Sequence, residues 1–222
     1  MPPGEPFIRP EWIANNLDVI WERLVQHIGM TATAVVVSFV ISFAAALLIR
    51  RRRRATAAVI GVTGILYAIP SLALFAFLIP FTGISFVTAE IALTSYTLLI
   101  IIRNILLGLD SVPPDVVEAA TGMGYTRPQL LWRVELPIAV PIIVAGLRIA
   151  TVTTVGLVTV TALIGQGGLG YLIVVSGIKG LFPTAIIVGS LLSVALAVVA
   201  DVGLLAAQAR LTPWARSRGG AP

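Results

Sequence analysis

The sequence contains no cysteine and a single histidine, His27. Without cysteine the chain has no disulfide, no thiolate metal ligand and no cysteine nucleophile, and one imidazole does not build a metal site, so we expect none. Charged residues make up only 11% of the chain, against about 25% in an average soluble protein. Hydrophobic residues make up 58%, and the mean hydropathy is +1.01. This composition predicts an integral membrane protein.

Two further patterns are missing. Residues 1–27 lack the short apolar region and small-residue cleavage site that follow the positive charges of a secretory signal, so we expect the first apolar segment to remain in the protein. The net charge of +5 does not indicate nucleic-acid binding, because the arginines stand where apolar segments end and not along one basic face.

Long apolar runs are what the sequence does contain. A bilayer core of about 30 Å requires about 20 apolar residues. The chain therefore predicts an all-α polytopic membrane protein with about five transmembrane helices over residues 28–210, followed by a tail over 211–222. The five runs are Ile28 to Ile49, Ala57 to Ile79, Ile84 to Leu106, Ile138 to Ile164 and Phe182 to Ala207.

The basic residues predict the orientation, since positively charged loops stay in the cytoplasm. If the loop after the first span is inside, eleven arginines fall on the inner side and only Arg9, Arg23 and Lys179 on the outer side. We therefore expect the N-terminus outside, and the C-terminus and the loop over 107–137 in the cytoplasm. The inner set is Arg50 to Arg54, Arg103, Arg127, Arg133, Arg210, Arg216 and Arg218.

Three segments carry patterns with two readings each. Apolar residues at helical spacing from Ile13 to Ile28 predict an amphipathic helix on the outer surface, within an outer segment over 1–27, or else an extension of the first span. Pro70, followed by Ser71, should kink or break the second span, which either lines a solute path or is patched by neighbouring helices. Gly189, Ser193 and Ala197 form a small-residue face that suits packing within the subunit or against a second one.

The polar loop predicts two short helices. Pro113 and Pro114 suit a first helical turn that Asp110 or Ser111 would cap, and Gly122 and Gly124 should end that helix. Thr126 followed by Gln129 matches a capping box that opens a second helix, and Pro137 marks the return to the bilayer. Such a pair is either a docking surface or a structural elbow.

The same loop resembles a known motif. Glu118-Ala119-Ala120, then Gly124, then Val134-x-Leu136-Pro137 after nine residues, is similar to the EAA loop of ABC importer permeases, with Val134 in place of the more usual isoleucine. The resemblance implies the type I ABC importer permease fold, with coupling helices that sit in a groove of a cytoplasmic ATPase. It also implies that the partner hydrolyses ATP, and that this chain binds no cofactor and is not an enzyme.

Other segments narrow the resemblance to osmoprotectant importer permeases, which take up glycine betaine, carnitine or choline. It implies a bacterial cytoplasmic membrane, a second permease subunit that is a copy or a paralogue, and a separate extracytoplasmic binding protein. Gln166 and Tyr171 depart from the pattern. Alternatives are another small solute, such as methionine or a sulfonate, and an ATP-independent channel or secondary transporter. The matching segments are Ile69 to Phe75, Arg103-Asn104, Val112 to Ala120, Ala145 to Arg148 and Ile164 to Gly170.

Two remaining features concern charge and glycine inside the membrane. Arg148 and Glu90 lie about 16 and 20 Å from the inner surface by residue counting, and a charge at that depth needs a partner, so we expect a pair between them, structural or on the solute path. Asp201 near a helix end is expected to face headgroups or water. Gly165-x-Gly167-x-x-Gly170 matches a dinucleotide fingerprint, but it follows a membrane span and predicts a re-entrant turn instead.

Overall fold

The structure is a computed structural model that describes residues 7 to 213. The described residues form helices only, so the expected all-α fold is confirmed. Of the predicted tail over 211–222, all but the first three positions lie outside the described residues, together with Arg216 and Arg218. The α-helices are α1 (Pro10–Asn15), α2 (Leu17–Ile49), α3 (Arg53–Ala68), α4 (Ser71–Thr82), α5 (Phe86–Asp110), α6 (Pro114–Gly122), α7 (Arg127–Leu130), α8 (Leu136–Val160) and α9 (Pro183–Leu211). Thr161–Ile164 is a 3₁₀ helix, and Leu131–Glu135 and Leu172–Lys179 are π-helical.

Four helical runs within the described residues are long and apolar enough to cross a membrane, or five if α3 and α4 count as one broken span. The number agrees with the five expected runs. The first of them, α2, is one helix of 33 residues, about 50 Å long. Of the two readings of this segment, residues 17–27 follow the second: they extend the first span, with Ile20 packed against Leu169 and Leu172.

The second span is broken at Pro70, as predicted. Helices α3 and α4 meet at an angle of 98°, because a proline at this point removes a backbone donor and ends the helix before it. The break exposes the carbonyl of Ile69 inside the bundle. The hydroxyl of Tyr96 on α5 donates to that oxygen. The carbonyl freed by the break therefore has a hydrogen-bond partner in a region where no water reaches it.

The centre of the bundle is the contact of α5 with α2 and α8. Small side chains face α5 from α2 at every fourth position, so the two backbones approach closely. The hydroxyls of Ser38 and Ser42 donate to the carbonyls of Thr94 and Leu98 at 3.1 and 3.4 Å. The buried small residues of this α2 stripe are Ala34, Ser38, Ser42 and Ala46.

The bundle has two ends that differ in character. We call the end with Arg50 to Arg54 and α6 the arginine end, and the opposite end, with the turn Gly165 to Gly168, the glycine-turn end. Helix α5 runs between them. On α9, Gly189 is buried, and a Cβ there would lie 2.8 Å from Ile173, so part of the predicted small-residue face packs within the subunit.

Candidate functional site

The loop at the arginine end begins with α6. Its first residue is Pro114, as expected, but Pro113 precedes the first turn, and the predicted side-chain caps are wrong. The N-cap is Pro113, with no side-chain hydrogen bond, and the hydroxyl of Ser111 donates to the carbonyl of Gly108 at 2.7 Å, where it closes α5. Asp115 lies in the first turn of α6, where the helix dipole favours a negative charge.

Helix α6 ends in a Schellman turn, which explains the spacing of the motif. The N–H of Gly124 donates to the carbonyl of Thr121 at 2.9 Å, and the N–H of Tyr125 donates to the carbonyl of Ala120 at 3.2 Å. This pair of bonds requires a left-handed residue between them, and Gly124 has φ of +83°. The glycine four residues after Ala120 is therefore a backbone requirement of the turn.

One face of α6 is open. Glu118 and Ala119 are exposed, whereas Ala120 is 2% exposed and packs against the loop. Two large apolar side chains of the loop are also exposed, Met123 at 71% and Trp132 at 61%. A short helix with small residues and flanking apolar groups suits close contact with another protein.

The second predicted helix is real but not separate. The N–H of Thr126 donates to Oε1 of the Gln129 side chain at 2.8 Å, so the expected capping box is present. Helix α7 then passes through a π-helical segment, Leu131–Glu135, directly into α8. Pro137 does not interrupt it. This proline directly follows the π-helical segment, in which hydrogen bonds span five residues instead of four. Arg127 to Ile164 is thus one run of 38 residues, about 57 Å long.

An ion pair that the sequence did not indicate joins this run to the first span. Arg50, at the end of α2, donates from Nη1 to Glu135 Oε2 at 2.6 Å, and both side chains are about one-tenth exposed. Glu135 closes the π-helical segment that precedes Leu136. The residues are 85 positions apart, so only the fold brings them together.

The pairing expected for Arg148 is wrong. Its guanidinium binds Asp201 of α9 in a two-pronged arrangement, with Nε to Oδ1 and Nη2 to Oδ2 both at 2.8 Å. Glu90 lies on α5 and takes no part. Asp201 therefore does not simply face headgroups or water: it satisfies the one arginine within α8, with the parallel fork geometry that favours Arg over Lys.

A polar cluster at the glycine-turn end was also missed. His27 is fully buried. Its Nε2 donates to the carbonyl of Val155 at 3.0 Å, and its Nδ1 accepts from the N–H of Leu169 at 3.1 Å. Gly165 and Gly168 both have φ of +77°, so the expected turn is present, and it follows a helix, not a strand. The ring joins α2, α8 and this turn.

The described residues thus combine four or five apolar spans with a short exposed helix that ends in a turn at Gly124. Residues 38–213 match the family model described as the binding-protein-dependent transport system inner membrane component. The chain belongs to that family.

Curated relatives align along most of the chain. It is 36% identical to the carnitine transport permease protein OpuCB of Listeria monocytogenes, over 86% of this chain and 87% of that one. It is 33% identical to the choline transport system permease protein OpuBB of Bacillus subtilis, over 94% and 95%. It is 37% identical to the osmoprotectant import permease protein OsmW of Salmonella typhimurium, over 91% and 96%.

Solved structures share the fold. The MetNI methionine ABC transporter, in an inward-facing conformation, has a chain that superposes with a TM-score of 0.81 at 24% identity, over 88% of this chain and 97% of that one. An amino acid ABC transporter gives 0.75 at 15% identity, over 91% and 99%. The expected type I ABC importer permease fold is thereby confirmed.

Proposed function

We propose that this chain is the transmembrane permease subunit of an ATP-driven importer for osmoprotectants such as glycine betaine, choline or carnitine. The observation that carries the proposal is the loop at the arginine end, where an exposed α6 closes in a Schellman turn at Gly124. The relatives named for carnitine, choline and osmoprotectants support the cargo. The methionine transporter supports only the fold, because its identity is 24%.

The arginine end lies in the cytoplasm in this proposal, with the N-terminus outside and the C-terminus inside. The arginines after α2 support this orientation, since positive loops stay inside. Two permease subunits then enclose the solute path, two ATPase subunits bind beneath them, and a separate binding protein delivers solute at the glycine-turn end. Glu118, Ala119, Ala120 and Gly124 shape the ATPase contact, with Leu136 and Pro137 at its base. Glu118 and Ala119 are exposed on it, and the buried Ala120 supports it.

The geometry suggests how movement of α6 reaches the membrane. Because α7 continues into α8 without a break, a tilt of the loop turns the whole helical run. The ion pair from Arg50 to Glu135 ties the end of α2 to the same run. The two helices therefore move together when the ATPases close. Pro70 and Ser71, at the bend between α3 and α4, are candidate residues of the path.

The test is uptake by the reconstituted importer, with its ATPase and binding protein in liposomes. We expect labelled glycine betaine, choline or carnitine to accumulate only with ATP inside, and labelled methionine not to accumulate. Uptake of methionine instead would favour another cargo class. Equal uptake with and without ATP would favour a channel or secondary transporter and overturn the proposal.

A further inference from the structure

Glu90 on α5 carries a buried carboxylate that nothing else in the described chain neutralises. The residue is 9% exposed, and neither carboxylate oxygen has a hydrogen-bond partner among residues 7 to 213. An unsatisfied buried polar group costs free energy, so such groups normally have partners. An ionisable residue within a membrane span indicates a functional site. Arg148 and Asp201 pair with each other, whereas the Glu90 carboxylate has no such partner and is available to a ligand.

A groove between α2 and α5 passes over Glu90. Its volume is about 370 Å³, within the range of about 300–1,000 Å³ that small-molecule sites occupy. Glu90 is the only charged residue in its lining among the described residues. The other lining residues are uncharged: Thr33, Val37, Ile41, Phe86, Val87, Ile91, Thr94 and Ser95.

Phe86 lies one helical turn before Glu90, so the two side chains share a face of α5. The Phe86 side chain is 49% exposed. An aromatic face attracts a quaternary ammonium group through the ring quadrupole, and a carboxylate attracts it through charge. The two groups together therefore match one ligand chemistry, a small organic cation such as a quaternary ammonium group.

The groove continues towards the glycine-turn end. Thr33 and Phe86 also line a second groove of about 390 Å³, which reaches Arg23, Gln26 and Gly167. The two grooves share these two residues and so adjoin. Glu90 is only about 6 Å along α5 from Phe86. A solute that enters at the glycine-turn end therefore meets Phe86 before Glu90.

We propose that Glu90 and Phe86 form a cation site on the solute path, which binds the quaternary ammonium group after the solute leaves the binding protein. This site rests on the proposed function. It also predicts a bias among solutes. Choline carries a net positive charge, whereas glycine betaine carries its own carboxylate beside the ammonium. Loss of the Glu90 charge should therefore impair choline transport much more than glycine betaine transport.

The experiment compares maximal uptake rates of labelled choline and glycine betaine by the reconstituted importer, with the binding protein saturated. In Glu90→Gln we expect the choline rate to fall about tenfold, the equivalent of about 1.4 kcal/mol, and the betaine rate to fall less than about twofold. Glu90→Asp, which keeps the charge, should retain most of the choline preference. The matched control is Glu11→Gln, the same change at an exposed position, which should leave the ratio of the two rates unchanged.

A second pair of variants tests the site at Phe86, a half-exposed position where a substitution should have little effect on folding. Phe86→Leu should slow the uptake of choline, and Phe86→Trp should not, because Trp has the stronger cation-π face. Equal slowing of choline and betaine in Glu90→Gln would indicate a contact with the second permease subunit or lipid, and would overturn the site. Unchanged rates for both would overturn it too. No uptake of either solute by the unaltered importer would overturn the proposed function, and the site with it.

Discussion

Two regions of the molecule differ in the sequence separation of the contacts that stabilise them: the loop between α5 and α8, and the bundle of spans. In the loop, Gly124 binds the carbonyl of Thr121 and Thr126 binds the side chain of Gln129, each three residues away. In the bundle, His27 reaches Val155 across 128 residues. The loop is therefore specified by adjacent residues, whereas the polar contacts of the bundle exist only once the helices have assembled.

The difference also separates two kinds of damage. A change in the loop should impair the transmission of movement but leave the bundle folded, because few bundle contacts depend on it. A change at a long-range contact should weaken the bundle itself. Uptake and thermal stability, measured together on the same variants, distinguish the two regions.

The largest effect is expected from reversing a charge at the Arg148–Asp201 pair. Arg148→Asp or Asp201→Arg places two like charges where the structure has a two-pronged ion pair, and such charges within a span are unfavourable. We expect uptake to fall to background in each single variant, and to recover in part in the double reversal. Reversing Arg148 together with Glu90 should give no recovery, because these two residues do not pair. Recovery there alone would contradict the structure.

Gly124→Val should abolish most of the uptake while leaving membrane insertion and thermal stability near normal. The reason is the φ of +83°, which a β-branched residue does not adopt without strain. Gly122→Ala is the matched control: a Cβ would meet nothing within 4 Å at either glycine, and only Gly124 has a positive φ. Uptake and melting temperature of both variants are the measurements. Unchanged uptake in Gly124→Val would remove the loop from the coupling mechanism.

The sequence separation of each contact also explains which features could be predicted from the sequence. The apolar runs, the break at Pro70 and the glycine turns depend on local composition, so they could be read directly. The partner of Arg148 could not, since residue counting put Glu90 at a similar depth and Asp201 near a helix end. Only the packing of α8 against α9 brings Asp201 to Arg148. Local reading also gave no sign that α7 continues through a π-helical segment into α8.

His27 gave no signal in the sequence because a lone histidine beside an apolar run is uninformative, yet it tests the bundle most directly. His27→Ala would leave the carbonyl of Val155 and the N–H of Leu169 unpaired and open a cavity, which we expect to lower the free energy of unfolding by about 2–4 kcal/mol. His27→Gln, whose amide can donate in place of Nε2, should lose about half as much. Thermal unfolding in detergent is the measurement. Stability equal to that of the unaltered protein in His27→Ala would show that the ring is not a structural link.

The smallest effect expected is at the contact of α5 with α8. A Cβ added at Gly146 would lie 2.3 Å from the Cβ of Asn104, whereas one at Gly156 on the same helix would meet nothing within 4 Å. Gly146→Ala should therefore separate the helices slightly and destabilise the bundle by about 1–3 kcal/mol through overpacking. Gly156→Ala should be neutral or slightly stabilising, because alanine is the better helix former. If the two variants unfold at the same temperature, the close approach of α5 and α8 does not limit the stability of the bundle. The difference in stabilising contacts between the bundle and the loop would then rest on the polar contacts alone.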